Sequence, residues 1–175
     1  MKKLLPLLII PLIFFLGCDS PVKINTGLHK GWPTYITDLP FGIDVYHSSN
    51  IVYAKNSTRN DNYIYPYILE FGTTVMAIDH DLEIIEFGAF KLIDNEWVLV
   101  NTPPRNKKNF IEWYHGNNDG VIYEGFKYSD NENFLMKGKK LNNSEVKFLI
   151  YFIGKNKRGV KYVGAKEVSG KLSFK

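Results

Sequence analysis

Few side chains in this sequence are of a type and spacing that could do chemistry. The densest group is Asp79-His80-Asp81, where two carboxylates flank an imidazole. On an extended strand Asp79 and Asp81 would share one face, as metal ligands on a sheet often do. The triplet lies between two apolar segments, however, and no second histidine follows at a ligand-like spacing. We therefore predict a turn here, with a metal or catalytic site as the alternative.

A second candidate is the pair Glu112 and His115, which would be neighbours on a helix and could act as acid and base. The same segment, 109–115, also alternates acceptably as a strand. His29 and His47 have no carboxylate or cysteine near them in sequence. The chain lacks the G-x-S-x-G, phosphate-loop and H-E-x-x-H motifs. We predict no enzyme activity, no metal site and no cofactor.

The single cysteine, Cys18, follows an N-terminal segment of a recognisable kind. Two lysines precede an apolar run over 4–16, and Gly17 stands directly before the thiol. This order of positive patch, apolar run and small residue is typical of a secretory signal peptide. The thirteen apolar residues would form a helix of about 20 Å, too short for the ~30 Å hydrocarbon core of a bilayer.

The end of that segment, Phe15-Leu16-Gly17-Cys18, resembles the lipobox of bacterial lipoproteins. The lipobox usually has leucine three positions before the cysteine and a small residue two before it, where this chain has Phe15 and Leu16. The resemblance covers about a tenth of the chain. It implies cleavage between Gly17 and Cys18 and a diacylglyceryl group, with palmitate-type chains, on the Cys18 thiol. An ordinary cleaved signal or an uncleaved anchor is the alternative.

The resemblance also implies a location. A lipoprotein would be attached to the bacterial cell membrane through Cys18, facing the periplasm or the cell exterior. Asp19 resembles the residue that retains such proteins in the inner membrane of enteric-type Gram-negative bacteria. Besides the membrane, we expect a protein partner in the envelope and no nucleic acid.

The length predicts one domain. Residues 1–17 are the predicted signal peptide, 18–42 a lipidated, extended lead-in, and 43–175 a globular domain. The 158 residues left after cleavage are enough for a single core. The chain has 11 Tyr and 12 Phe, residue types that favour strands. In the lead-in we expect Trp32, Tyr35 and Phe41 to dock on the domain. The alternative is that Trp32 and Tyr35 form a ligand-binding edge.

Turn signals recur every 8–14 residues and no long helical stripe is present, so we predict a mainly β domain, an antiparallel sandwich or barrel-like fold. The predicted strands are 43–46, 51–54, 63–71, 73–78, 82–93, 96–100, 121–128, 134–140, 145–153, 160–163 and 168–174. We predict loops at 55–62 and 102–108. The sequence Gly116-Asn117-Asn118-Asp119-Gly120 predicts a hairpin turn that joins 109–115 to 121–128.

Charge is unevenly distributed along the chain. Residues 38–133 carry 15 acidic and 7 basic side chains, whereas 136–175 carry 11 basic and two acidic ones. One interpretation places the basic strands against the acidic middle, with lysines on solvent faces. The other is a basic surface for an anionic partner, centred on Lys155, Lys157, Arg158 and Lys161.

These observations predict a lipid-anchored envelope protein with a non-catalytic β-rich binding domain. An immunity or inhibitor lipoprotein is the first hypothesis, because such proteins are small and lipid-anchored. The second is an envelope structural or assembly lipoprotein that contacts membrane or cell wall through its basic C-terminal region. A periplasmic hydrolase, built around Asp79-His80-Asp81 or Glu112 and His115, is the third.

Overall fold

The computed structural model describes residues 31–58, 64, 66–100, 102–138 and 144–174, and at 134–138 the backbone alone. The predicted signal peptide, its cleavage site at Gly17 and Cys18, and the sorting residue Asp19 lie outside these residues, as does His29.

The described residues form strands and two short helices. In chain order these are α1 (Thr34–Thr37), β1 (Ile43–His47), β2 (Ile51–Tyr53), β3 (Lys55–Asn56), β4 (Tyr67–Ala77), β5 (Leu82–Ile93), β6 (Glu96–Leu99), β7 (Arg105–Asn106), α2 (Lys107–Trp113), β8 (Val121–Ile122), β9 (Lys127–Gly138), β10 (Glu145–Lys155) and β11 (Lys161–Lys171).

Two sheets build the fold. The larger has the order β2-β11-β10-β5-β6, and the short strands β7 and β8 also pair with β5. In the smaller sheet the central strand β4 pairs with β1, β3 and β9. All pairs are antiparallel except β11 with β2. The sheets curl into a half-barrel, so the predicted mainly β, sandwich or barrel-like class is confirmed.

The main core lies between the two sheets. It includes Val75 of β4, Phe87 of β5 and Phe152 of β10, none more than 4% exposed. Strand β4 alternates between buried and partly exposed residues over most of its length, because one of its faces meets the core. Strand β10 is instead buried at every residue of 148–154, which requires a cover on its other face as well.

The cover on that outer face is the segment around α1. Ile36 of α1 is 1% exposed and belongs to a second apolar cluster with Leu149, Tyr151 and Val163 of the larger sheet. The side chain of Trp32 packs against the same cluster. Docking of the lead-in is therefore confirmed at Trp32, whereas its wholly extended conformation is wrong, since Thr34–Thr37 forms one helical turn.

Several predicted strand boundaries were wrong. The strands predicted at 63–71 and 73–78 are one strand, β4, which runs through Gly72. Those predicted at 160–163 and 168–174 are likewise one strand, β11. The predicted loop at 55–62 begins with the two-residue strand β3. A residue that is common in turns, such as glycine, does not end a strand when the adjacent strands on both sides continue to hydrogen-bond with it.

The predicted hairpin around 116–120 is also wrong, because the segment before it is helical. Asn106 caps α2 through its side chain, which accepts hydrogen bonds from the backbone N–H groups of Lys108 and Asn109. Within α2, Phe110 is fully buried and stacks on Tyr114 with ring centroids 5.0 Å apart. The residue pattern of this segment fits both a helix and a strand, and the cap together with this apolar contact favours the helix.

Candidate functional site

The basic residues predicted from the C-terminal region lie in and beside one turn. Lys155 ends β10 and Lys161 begins β11, and the two are paired directly across the strands. The turn between them is closed by Asn156, whose side-chain oxygen accepts the N–H groups of Arg158 at 2.9 Å and Val160 at 3.0 Å. Lys157 and Arg158 are exposed on this turn. We call residues 155–161 the basic hairpin.

A pocket of about 380 Å³ opens beside the basic hairpin. Three lysines and one carboxylate supply its charged lining, and Asn106, Ile84 and Ile85 complete it. The charged residues are Lys107, Lys108, Lys155 and Glu83. We call this the lysine pocket. The sequence does not indicate Lys107 and Lys108 as site residues. The loop predicted at 102–108 is wrong at its end, because Arg105–Asn106 forms β7 and Lys107 begins α2.

Glu83 holds two of these lysines at once. One of its oxygens is 2.8 Å from Lys107 Nζ and the other is 3.1 Å from Lys155 Nζ. Hydrogen bonds from the two ammonium groups lower the pKa of the Glu83 carboxyl. The Lys155 contact follows from strand register, since Lys155 lies opposite Glu83 across the β5–β10 pair. Within the described part of the chain, Lys108 forms no such ion pair.

The backbone around α2 fixes the position of Lys107. Asn106 is paired with Glu86 through strand β7, which places the start of the helix against β5. The stem of Lys107 then passes over Gly120, where an added Cβ would lie 2.3 Å from Lys107 Cγ. Gly120 also has a φ of +66°, a conformation that favours glycine. The glycine-rich turn thus provides the space in which Lys107 reaches the pocket.

Trp32 and Tyr35 contact the larger sheet at Glu167 and Glu86 respectively. The indole N–H of Trp32 donates to Glu167 Oε1 at 2.6 Å. The hydroxyl of Tyr35 donates to Glu86, and its ring meets Tyr151 edge-on with centroids 6.1 Å apart. Burial and the Glu86 carboxylate raise the pKa of Tyr35 to about 12. Both aromatics position the lead-in, and a ligand-binding role for them stays a prediction.

The triplet Asp79-His80-Asp81 forms the turn between β4 and β5, as predicted. Asp81 accepts the backbone N–H of Glu124 at 3.1 Å. The exposed His80 ring lies edge-on to Tyr162 at 5.6 Å. In the described part of the chain, no three or more His, Cys, Asp and Glu side chains are grouped so that they could hold a metal ion.

Glu112 and His115 do not share a helix. Helix α2 ends at Trp113, and His115 follows with a positive φ of 50°. Both side chains are exposed, and no hydrogen bond or ion pair links them among the described residues.

His47 has structural contacts that its sequence neighbours do not indicate. Its Nε2 is 3.3 Å from the carbonyl oxygen of Lys166, and its Nδ1 is 3.2 Å from Thr73 Oγ1. A carbonyl only accepts, so Nε2 carries the proton and Nδ1 accepts from the threonine hydroxyl. The ring also lies edge-on to Phe71 at 5.1 Å. Burial lowers the pKa of His47 to about 4.

No protein-family model, curated protein or solved structure matches this chain. Neither helix in the described residues has the length and apolar character needed to cross a bilayer.

Proposed function

We propose that this chain is a lipid-anchored protein of the bacterial cell envelope, with a non-catalytic domain that binds an anionic partner through its basic hairpin and lysine pocket. The lipobox-like sequence that ends at Cys18 supports the anchor and the location. The observation that carries the binding role is the gathering of six cations at one end of the half-barrel. They are Lys107, Lys108, Lys155, Lys157, Arg158 and Lys161.

Like charges placed directly opposite one another on a sheet cost stability. Lys155 and Lys161 are such a pair, and the basic hairpin contains no carboxylate. Lys157 and Arg158 could be other polar residues without loss of the Asn156 hydrogen bonds, since backbone groups donate them. A surplus of positive charge on a turn that contains no carboxylate supports a role in binding.

The composition of this surface favours anionic envelope material, either phosphate-bearing lipid headgroups or cell-wall polymer. Lysine is depleted at protein–protein interfaces, where aromatic residues and arginine dominate. Five of the six cations are lysines. The second candidate, an immunity or inhibitor role against an acidic protein, is favoured by Arg158, the one guanidinium of the group and exposed on the turn.

The test is capture of envelope material on the full chain, purified in a non-ionic detergent. In one variant Lys155, Lys157, Arg158 and Lys161 are changed to Gln. A matched control removes four lysines from the strands, Lys91, Lys147, Lys166 and Lys171. We expect the native chain and the control to retain anionic lipid or wall polymer at low salt, and the hairpin variant to lose most of it.

Equal retention by the hairpin variant and the control would refute the proposed surface. Recovery of one acidic protein in near-stoichiometric amount, resistant to high salt, would support the immunity or inhibitor role instead. Mass spectrometry of the eluate and lipid phosphorus analysis separate these two outcomes.

A further inference from the structure

We infer that the lysine pocket is a phosphate-binding site, in which Lys107, Lys108 and Lys155 contact the oxygens of one phosphate group. The inference rests on the proposed binding function and makes it specific, because it names the chemical group and the subsite. Phosphate is a tetrahedral anion with several acceptor oxygens, so it suits ammonium groups that converge from different elements.

The Glu83 carboxylate shows how the lysines hold an anion. Its two oxygens receive Lys107 Nζ and Lys155 Nζ at 2.8 and 3.1 Å, so both ammonium groups already converge on one small acceptor. Each ammonium has three N–H donors. One from each is directed at Glu83, which leaves two on Lys107 and two on Lys155 for a second anion beside the carboxylate.

The charge of the pocket favours such an anion. Three ammonium groups face one carboxylate, which leaves a surplus of two positive charges. Lys108 forms no ion pair within the described residues. The side chains of Lys107 and Lys155 are each 45% exposed, so a ligand from solvent can reach their ammonium groups.

One wall of the pocket includes the apolar side chain of Ile85. Ile85 packs against the outer apolar cluster, whereas the side chain of Ile84, 1% exposed, faces the main core on the opposite side of β5. An apolar wall excludes water from one side of a bound anion and thereby strengthens its attraction to the lysines. The pocket volume of about 380 Å³ falls within the range of small-ligand sites.

The three lysines come from regular elements whose relative positions are fixed. Lys155 lies in the β5–β10 ladder, and Lys107 and Lys108 begin a helix that is capped by Asn106. Binding residues on regular elements lose less conformational entropy when a ligand binds than residues on free loops do.

The test is an NMR titration of the full chain in a non-ionic, phosphate-free detergent. The probes are inorganic phosphate and glycerophosphoglycerol, a soluble phosphodiester headgroup, with acetate as the anion control. We expect saturable shifts at Lys107, Lys108 and Lys155 with a phosphate probe. Each of the variants Lys107→Gln and Lys155→Gln should weaken binding about tenfold. Lys147→Gln, a lysine at the other end of β10, should leave it unchanged.

Glu83→Gln separates a phosphate site from a purely structural ion pair. Neutralisation of Glu83 removes the repulsion between its carboxylate and a phosphate bound beside it, so phosphate binding should tighten severalfold. Weaker binding in Glu83→Gln, shifts of equal size with acetate, or no effect of Lys107→Gln and Lys155→Gln would each overturn the inference.

The two phosphate probes identify the source of the ligand. Preference for inorganic phosphate would assign the site to a small free anion, and preference for glycerophosphoglycerol would assign it to lipid or polymer phosphodiesters. Failure of both probes, with envelope capture still lost in the hairpin variant, would remove the phosphate site and leave the proposed function standing.

Discussion

At the residue scale, His47 connects the two sheets. It belongs to β1 of the smaller sheet and contacts the Lys166 carbonyl in β11 of the larger one. Its other nitrogen contacts Thr73, which is 1% exposed and also accepts a hydrogen bond from the Asn133 amide at 3.3 Å. A proton added to Nδ1 would reverse this bond, so that the Thr73 hydroxyl would have to accept from the imidazole ring as well as from Asn133.

The pKa of His47 makes stability depend on pH. It is lowered by burial to about 4 in the folded chain, against 6.5 for an ordinary histidine. Between these values the unfolded chain binds the proton and the folded chain does not. The contribution of neutral His47 is therefore complete above pH 6.5, declines as the pH falls toward 4, and amounts to at most about 3 kcal/mol.

Urea unfolding across this pH range checks the prediction. The variant His47→Gln should be less stable than the native chain at neutral pH and should lose less stability on acidification. His80→Gln is the matched control, because that ring is exposed, and it should follow the native chain. Parallel pH curves for the native chain and His47→Gln would show that another group causes the acid sensitivity.

At the element scale, helix α1 is held on the larger sheet by the burial of Ile36 and by a hydrogen bond from Tyr35. A helix of four residues is too short to be stable on its own. Tyr35 is 52% exposed, yet its hydroxyl is bonded to Glu86, whose carboxylate also accepts from Tyr151 at 3.2 Å. A Cβ added at Gly88 would lie 3.1 Å from the Cε1 atom of Tyr151. Because glycine has no side chain, the Tyr151 ring has room to pack over the sheet at this position.

The variant Tyr35→Phe should loosen α1 without unfolding the sheets. A hydrogen bond of this exposure contributes about 1 kcal/mol, so amide hydrogen exchange over residues 34–39 should accelerate roughly fivefold. Exchange in β10 should not change. Tyr46→Phe is the control, since its hydroxyl donates to Asp44 at 2.9 Å on an exposed surface. Unchanged exchange at α1 in Tyr35→Phe would mean that the Tyr35 hydroxyl does not stabilise the segment and that its apolar and backbone contacts suffice.

Elements with a strong local pattern could be predicted from the sequence. Strand β5 is predicted with its correct bounds, because apolar residues predominate in Leu82–Ile93 and a turn follows at Asp94 and Asn95. Both turn residues have positive φ values, 49° and 67°, which Asp and Asn tolerate. The continuity of β4 through Gly72 could not be predicted in this way, because it depends on pairing with β1 and β9, which are distant in sequence.

The same limit applies to the candidate site. The basic hairpin was predicted because its four cations lie within seven residues of sequence. The lysine pocket was not, because Lys107 meets Lys155 only through Glu83 in β5, and that contact requires the β5–β10 register and the capped helix α2. An asparagine followed by two lysines after a proline pair is too weak a local signal to indicate this arrangement.

At the scale of the whole molecule, the uneven charge along the chain produces both an ion pair and a basic surface at the basic hairpin. The basic C-terminal strands do meet the acidic middle, as the Lys155–Glu83 ion pair shows. The remainder of the basic hairpin extends beyond that contact. The lead-in is held at Glu167 through Trp32, six residues along β11 from Lys161 and therefore roughly 20 Å away. The described part of the lead-in and the basic hairpin thus both lie along strand β11 of the larger sheet.

The segment between Cys18 and Gly31 is long enough for a lipid on Cys18 and the basic hairpin to contact the same membrane. Cys18 and Gly31 are thirteen residues apart. An extended chain of this length reaches at most about 45 Å. This limit exceeds the roughly 20 Å between Trp32 and the basic hairpin, estimated from the strand rise. A lipid on Cys18 would therefore keep the basic hairpin within reach of headgroups and raise their effective concentration.

The change Cys18→Ser should release the protein from the membrane. Two acyl chains give stable attachment at about 0.8 kcal/mol per buried CH₂, whereas the basic hairpin alone binds a charged surface weakly and loses it in salt. We expect the variant to lose labelling by radioactive palmitate and to be extracted by high salt. Ser20→Ala, which keeps the thiol, should remain labelled and attached. Unchanged labelling and attachment in Cys18→Ser would contradict the lipoprotein prediction. Loss of labelling with attachment that persists in high salt would mean that the uncleaved apolar segment holds the protein.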